Sequence, residues 1–156
     1  MTETQELIKS LANHHGRKRE SLLPVLQGVV ERNRYLTDEA TTEIARELDI
    51  SASLVYGVAS FYSFLYIEPK GKFIIRVCKT ITCDMKGKSE IIRTIEDMLK
   101  IKLGETTQDK MFSLIDANCL GWCHQGPAIL INDEPYTDLT PNKVREIIGE
   151  IIKQNR

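Results

Sequence analysis

The four cysteines of the chain fall into two close pairs: Cys78 and Cys83 in C-K-T-I-T-C, and Cys119 and Cys123 in C-L-G-W-C. A cysteine complement gathered wholly into two turn-like pairs reads as a four-thiolate metal site. Structural zinc takes tetrahedral sulfur, usually from C-x2-C-like knuckles, and typically rescues a domain too small to fold unaided. The wider spacings and an adequate apolar complement count against it here. A [4Fe–4S] cluster commonly draws on three closely spaced cysteines and a remote fourth. A [2Fe–2S] cluster suits a two-plus-two division, because each tetrahedral iron needs two protein thiolates, and the spacing favours it. Dithiol redox through C-x-x-C is excluded, since that motif is absent from the chain.

The neighbours of these cysteines carry secondary roles. Lys79, Lys86 and Lys88 flank the first pair and could offset the charge of an added electron, although a solvated loop lysine is the favoured reading of any one of them. Gly121 and Gly126 allow tight turns in which backbone N–H groups face sulfur. His124 follows Cys123, but a Rieske-type centre would replace two cysteines with two histidines, and all four cysteines are present. It reads as a surface or supporting residue, and Trp122 as packing, as a shield or as a docking side chain. Walker loops, G-x-G-x-x-G, paired-carboxylate motifs and Ser/His/Asp sets do not occur, so nucleotide binding and hydrolysis have no motif on this chain.

The elements that must position the cysteines divide at Glu68-Pro69-Lys70-Gly71, a turn signal. Residues 1–70 read as a helical subdomain. Leu7, Ile8 and Leu11 mark one amphipathic helix, and Ser21 is expected to cap a second with Pro24 in its first turn. Thr37-Asp38-Glu39 starts a third, and Ser51 caps a fourth running to Tyr62. Residues 71–156 alternate. Phe73–Cys78 is a strand running into the first cysteine, and Ser89 opens a helix through Ile91, Ile95 and Leu99. Met111–Asp116 is a second strand just ahead of Cys119. Ala128–Ile131 and Pro135–Thr137 form a hairpin, and Thr140-Pro141 starts a last helix through Val144, Ile148 and Ile152. The order β-α-β-β-β-α predicts an α/β layer domain behind the helices, with both cysteine pairs in loops at strand ends.

Composition narrows the function. With 42% hydrophobic residues in 156, the chain can bury a core independently of any metal. A formal net charge of -1 with well-mixed signs argues against a nucleic-acid binder working through a basic field. Apolar runs of the roughly 18 residues needed for a membrane span are absent. The polar, acidic Met1-Thr2-Glu3-Thr4-Gln5-Glu6 does not resemble a secretory signal, so a reducing, cytoplasmic location is the expectation.

With these features in place, the chain resembles the thioredoxin-like [2Fe–2S] ferredoxin subunits of NADH-oxidising complexes. The shared residues are V-C-x4-C at Val77–Cys83, Thr106-Thr107 ahead of the second strand, C-L-G-x-C-x-x-G-P at Cys119–Pro127, and V-x-S-F-Y-S-F at Val58–Phe64. The resemblance implies a thioredoxin-like fold for residues 71–156, with Cys78 and Cys83 on one iron and Cys119 and Cys123 on the other. It implies an electron-transfer subunit without catalytic residues of its own. FMN and NAD(H) would sit on a flavin- and NAD-binding iron–sulfur partner subunit. The expected host is a soluble hydrogenase- or formate dehydrogenase-type complex, with electron bifurcation as one form of it, or else the peripheral arm of respiratory NADH:quinone oxidoreductase. Neither nucleic acid nor membrane insertion is expected. Two other classes remain open: a zinc-stabilised interaction module, and a cluster-sensing helix-turn-helix regulator built on Thr41–Tyr62. The would-be recognition helix of the latter, Ser51–Tyr62, lacks Lys, Arg, Asn and Gln. The run Phe61-Tyr62-x-Phe64-Leu65-Tyr66 is expected to be core, with docking of a larger subunit as the other reading.

Overall fold

The structure, a computed structural model, describes residues 2–156. It divides into two compact units between Lys70 and Gly71. The first is helical: α1 (Glu3–His15), α2 (Leu22–Asn33), α3 (Asp38–Glu47) and α4 (Ala52–Phe61). Three of the four starts have a side-chain cap. Thr2 and Gln5 form a reciprocal capping box on α1, Thr37 accepts from the Ala40 N–H, and Ser51 accepts from the Leu54 N–H. Helical spacing then turns Ile8, Ala12, Val25, Leu26, Val29, Ile44, Val55 and Ala59 fully inward.

Two expectations fail in this unit. Ser21 does not cap α2. A 3₁₀ turn, Arg19–Ser21, runs straight into that helix, which leaves Ser21 with helical backbone angles. Its buried hydroxyl instead donates to the His15 carbonyl at 2.8 Å, closing the α1–α2 connection. The aromatic run is also split. Leu65 and Tyr66 are buried, whereas Phe61 is 79% exposed, with Tyr62 and Phe64 also outside. The chain leaves α4 at Tyr62 in an extended conformation, which ends the helical phase that would have kept the run on one face.

The second unit is a four-stranded sheet with helices: β1 (Phe73–Cys78), α5 (Ile81–Met85), α6 (Lys88–Leu99), β2 (Phe112–Ala117), β3 (Ile129–Ile131), β4 (Glu134–Tyr136) and α7 (Pro141–Gln154). The strand order is β2-β1-β3-β4. Strands β1 and β2 are parallel, which requires the intervening helical crossover, and the remaining pairs are antiparallel. Asn132, at φ 53°, turns the β3–β4 hairpin, and its side chain accepts from the Ile74 N–H of β1. One continuous core joins Ile75, Val77, Phe112, Leu114, Ile129 and Ile131 of the sheet to Ile91 and Ile95 of α6 and to Val144 and Ile148 of α7. Such a core places the strand ends without help from a metal.

Candidate metal centre

Parallel pairing brings the two cysteine segments together. In the β1–β2 register Cys78 stands opposite Ala117, and the Lys79 N–H donates to the Ala117 carbonyl at 2.9 Å. Cys119 therefore leaves β2 beside the place where Cys78 ends β1. The second member of each pair is not in a plain loop, as expected from sequence, but on a short helical turn. Cys83 lies on α5, and Cys123 begins the 3₁₀ turn Cys123–Gln125. A single helical turn points a side chain back toward the preceding segment, which suits it to close a site opened by the strand-end cysteine.

All four thiols are free, with graded exposure: Cys78 and Cys83 buried, Cys123 half-buried and Cys119 exposed. Burial pushes the Cys78 thiol up. The Thr80 hydroxyl, 3.0 Å from its Sγ, the Thr80 and Leu120 N–H groups and the Cys83 thiol outweigh that, and its pKa lies below the ordinary thiol value. Cys83 is raised by burial and by Cys78, against an opposing N–H from Ala128. Cys123 is raised first by its hydrogen bond with Cys119, then by burial and by the charges of Cys119, Cys83 and Cys78. One thiol thus feels the other three, and sulfurs from both segments share one electrostatic neighbourhood.

The donor set and its backbone fit a thiolate-held cluster. Cys119 Sγ and Cys123 Sγ stand 3.2 Å apart, well beyond a disulfide bond. Two sulfurs sharing a tetrahedral metal at about 2.3 Å would stand about 3.8 Å apart, so a small side-chain adjustment suffices. Backbone N–H donors face the sulfurs: Leu120 to Cys78, Ala128 to Cys83, and Gly121 to Cys119 Sγ at 3.4 Å. Gly121 holds φ 85°, a conformation that disfavours any side chain. At Gly126 an added Cβ would lie 3.6 Å from Cys83 Sγ and 3.2 Å from Lys86 Cδ, so the missing side chain keeps that flank of the sulfur open. Among the described residues no three His, Cys, Asp or Glu gather closely enough to hold one metal ion. A binuclear centre needs only two protein sulfurs at each metal.

The flanking residues sort clearly. Lys88 is buried and paired with Asp84 at 3.0 Å, and Lys79 lies 3.9 Å from Asp116. Lys86 reaches across to the second cysteine segment, donating to the Cys123 carbonyl at 2.8 Å. Trp122 and His124 stack on each other, with ring centroids 6.1 Å apart. The supporting donors that sequence reasoning missed are Thr80, Leu120 and Ala128. Thr80 had a signal: it occupies the N-cap position of α5, yet its hydroxyl makes no cap bond and faces sulfur. For Leu120 and Ala128 the backbone acts, so residue type carries no signal.

A helical unit followed by this β-α-α-β-β-β-α unit, with paired thiols at adjoining strand ends, defines an iron–sulfur protein of the thioredoxin-like class. The chain belongs to the thioredoxin-like [2Fe-2S] ferredoxin family, whose model matches residues 8–152, and one [2Fe–2S] cluster is its cofactor. It is 40% identical over 126 residues to an NADH-quinone oxidoreductase subunit of Buchnera aphidicola subsp. Acyrthosiphon pisum, covering 81% of this chain and 78% of that one. It is 32% identical over 148 residues to the NADP-reducing hydrogenase subunit HndA of Solidesulfovibrio fructosivorans, covering 95% and 84% respectively. Among solved structures it superposes on an air-oxidised NAD+-reducing [NiFe]-hydrogenase with a TM-score of 0.78 and 22% identity. That match takes in 99% of this chain but only 24% of the other, and at this identity it speaks to fold alone.

Proposed function

We propose that this chain is an electron-transfer subunit of an NAD(H)-dependent oxidoreductase complex, with Cys78 and Cys83 holding one iron of the cluster and Cys119 and Cys123 the other. The observation that carries the ligand assignment is the parallel β1–β2 register, which sets Cys78 opposite Ala117 so that Cys119 leaves β2 beside it, while the Lys86 side chain ties the Cys83 turn to the Cys123 carbonyl. The cluster supplies one-electron storage. The protein's part is to hold the sulfurs on strand and helix ends and to aim N–H groups at them. Two-electron hydride chemistry then falls to a flavin- and NAD-binding iron–sulfur partner carrying FMN. This chain is a non-catalytic member of the complex, and residues 1–70 act as its assembly unit beside the cluster domain of residues 71–156.

The host is a soluble, cytoplasmic hydrogenase- or formate dehydrogenase-type oxidoreductase, a reading in keeping with the likeness to the HndA subunit along nearly the whole chain. The higher identity to the NADH-quinone oxidoreductase relative favours a second reading, a peripheral component of a respiratory enzyme. No helix among the described residues is long and apolar enough to cross a membrane. A DNA-reading role finds no support, because the exposed residues of α4, including Ala52, Ser53, Tyr56, Ser60 and Phe61, offer neither a cation nor an amide side chain.

The test is ligand replacement. Serine at Cys78, Cys83, Cys119 or Cys123, one at a time, should abolish or strongly alter the electron paramagnetic resonance signal of the reduced protein and its visible absorption. A single variant that keeps both unchanged removes that cysteine from the ligand set.

A further inference from the structure

Lys86 occupies a position that its two neighbouring lysines do not. It closes α5, its N–H donating to the Cys83 carbonyl at 3.2 Å, so its backbone belongs to the first cysteine segment. Its ammonium crosses to the second segment, donating to the Cys123 carbonyl at 2.8 Å and to the His124 carbonyl at 3.4 Å. Those carbonyls belong to the 3₁₀ turn that carries Cys123, where outward-facing C=O groups concentrate partial negative charge. The aliphatic stem passes Gly126, whose virtual Cβ would touch Lys86 Cδ at 3.2 Å and Cys83 Sγ at 3.6 Å. Stem and sulfur are therefore no more than about 7 Å apart, and the ammonium, two bonds beyond Cδ, no more than about 9 Å from that sulfur, a separation comparable with the screening length of about 8–10 Å.

We infer that Lys86 is a positioning residue for the cluster, strapping the Cys78–Cys83 segment to the Cys119–Cys123 segment and holding one positive charge beside the sulfurs. The inference rests on the [2Fe–2S] reading of the site and adds to it a residue outside the ligand set. Mechanically, the strap joins positions 37 residues apart through a charge-assisted hydrogen bond, so the two halves of the ligand set move together. Electrostatically, reduction adds a negative charge to an already anionic centre, and a nearby cation favours the reduced form. Lys88 neutralises much of its own charge against Asp84, and Lys79 lies near Asp116, whereas the partners of Lys86 are neutral carbonyls. Lys86 is exposed, so solvent screens its effect and keeps it modest.

The experiment compares the cluster-loaded full chain with Lys86→Met and Lys86→Arg, neither of which disturbs a buried side chain. Two quantities are read: the midpoint potential of the reduced-state paramagnetic signal, and the rate of iron loss to an excess of chelator. Lys86→Met should lower the preference for the reduced state about threefold, a shift of about 28 mV at 59 mV per decade, and should release iron several times faster. Lys86→Arg, which keeps the charge and can still reach a carbonyl, should lie close to wild type in both. An unshifted potential in Lys86→Met overturns the electrostatic role, and unchanged iron release overturns the strap. A wild-type protein lacking the [2Fe–2S] signal would overturn the cluster reading itself, and this inference with it.

Discussion

Gly71 is where the second unit tests its own packing. The residue is buried, and a Cβ built on it would lie 2.8 Å from the Phe112 carbonyl carbon, 2.9 Å from the Phe112 nitrogen and 3.0 Å from the Met111 carbonyl carbon. These are backbone atoms of β2 and its approach, so an alanine there cannot be accommodated by a side-chain rotation. The strand must move by about half an ångström to restore ordinary contact. That movement strains the Gly71 N–H bond to Ser113 Oγ at 2.7 Å, a fully buried hydroxyl that also bonds Thr106 Oγ1 at 2.7 Å. Overpacking of this kind costs about 1–3 kcal/mol, and a weakened buried hydrogen bond about 1 kcal/mol more. We therefore expect Gly71→Ala to lose about 3 kcal/mol, seen as a fall in Tm of about 10 °C. Gly149→Ala is the control: it lies within α7 with nothing within 4 Å of its virtual Cβ, and should gain up to about 1 kcal/mol through helix propensity. Thermal melts of the loaded proteins by circular dichroism give both numbers. Because Gly71 abuts the start of β2 and the cysteines follow its end, the paramagnetic spectrum of Gly71→Ala should match wild type. A Gly71→Ala protein melting within about 2 °C of wild type would refute the close-contact reasoning.

Two further perturbations follow. Glu96 accepts from Lys102 Nζ and from the Leu103 N–H, each at 3.1 Å, and the Lys102 side chain first, then that N–H, hold its carboxyl below the ordinary 4.5. A depressed folded-state pKa stabilises above the unfolded value and is lost as pH falls through the folded one. The melting gap between wild type and Glu96→Gln should thus be full at neutral pH and close below about 4.5, and a pH-independent gap would discount the ion pair. For the aromatic run, Tyr66→Ala should cost about 3–5 kcal/mol, because the ring is buried, while Phe61→Ser should change stability by less than about 0.5 kcal/mol. Urea denaturation separates the two, and equal losses would contradict the split burial of the run.

What was legible in the chain was local. Thr37, Ser51 and Thr140 act as helix caps as their residue types predict, because the donor they satisfy lies three residues away. Strand β1 is Phe73–Cys78 as read, since its β-branched run is bounded by Lys72 and by the cysteine turn. β2 begins one residue later than expected, at Phe112, because the Thr107 hydroxyl accepts from the Phe112 N–H and folds the preceding residues into a turn. Helix α5 left no signal. Five residues, Cys83 among them, are too few to show a helical period, and Ile81 and Met85 are exposed at 74% and 83%, so no apolar stripe marks it. Ser21 misled because its cap chemistry is real, yet the His15 carbonyl competes for the hydroxyl.

The site shows the same division between local pattern and tertiary placement. Two pairs of cysteines at C-x4-C and C-x3-C spacing suffice to suggest four thiolates divided two and two, but spacing along the chain does not say that the pairs meet. Their meeting depends on β1 and β2 lying side by side in parallel, in a register that sets Cys78 opposite Ala117. That register is fixed by the pattern of inward residues, because a slip by one position would exchange Leu114 and Phe112 with Ser113 on the core face. The exposure gradient has the same origin. Cys78 ends the central strand β1, between β2 and β3, and is buried, whereas Cys119 lies beyond the end of the edge strand β2 and is open to solvent. No residue type records whether a strand will be central or at an edge when its fellows are this short. Lys86 sharpens the point: among three lysines near the first pair, its sequence setting is the least distinctive, and only the crossing of its side chain to the Cys123 carbonyl sets it apart. Residue types identify which atoms can bind a cluster; the sheet order determines which of them are shielded and which are open to solvent.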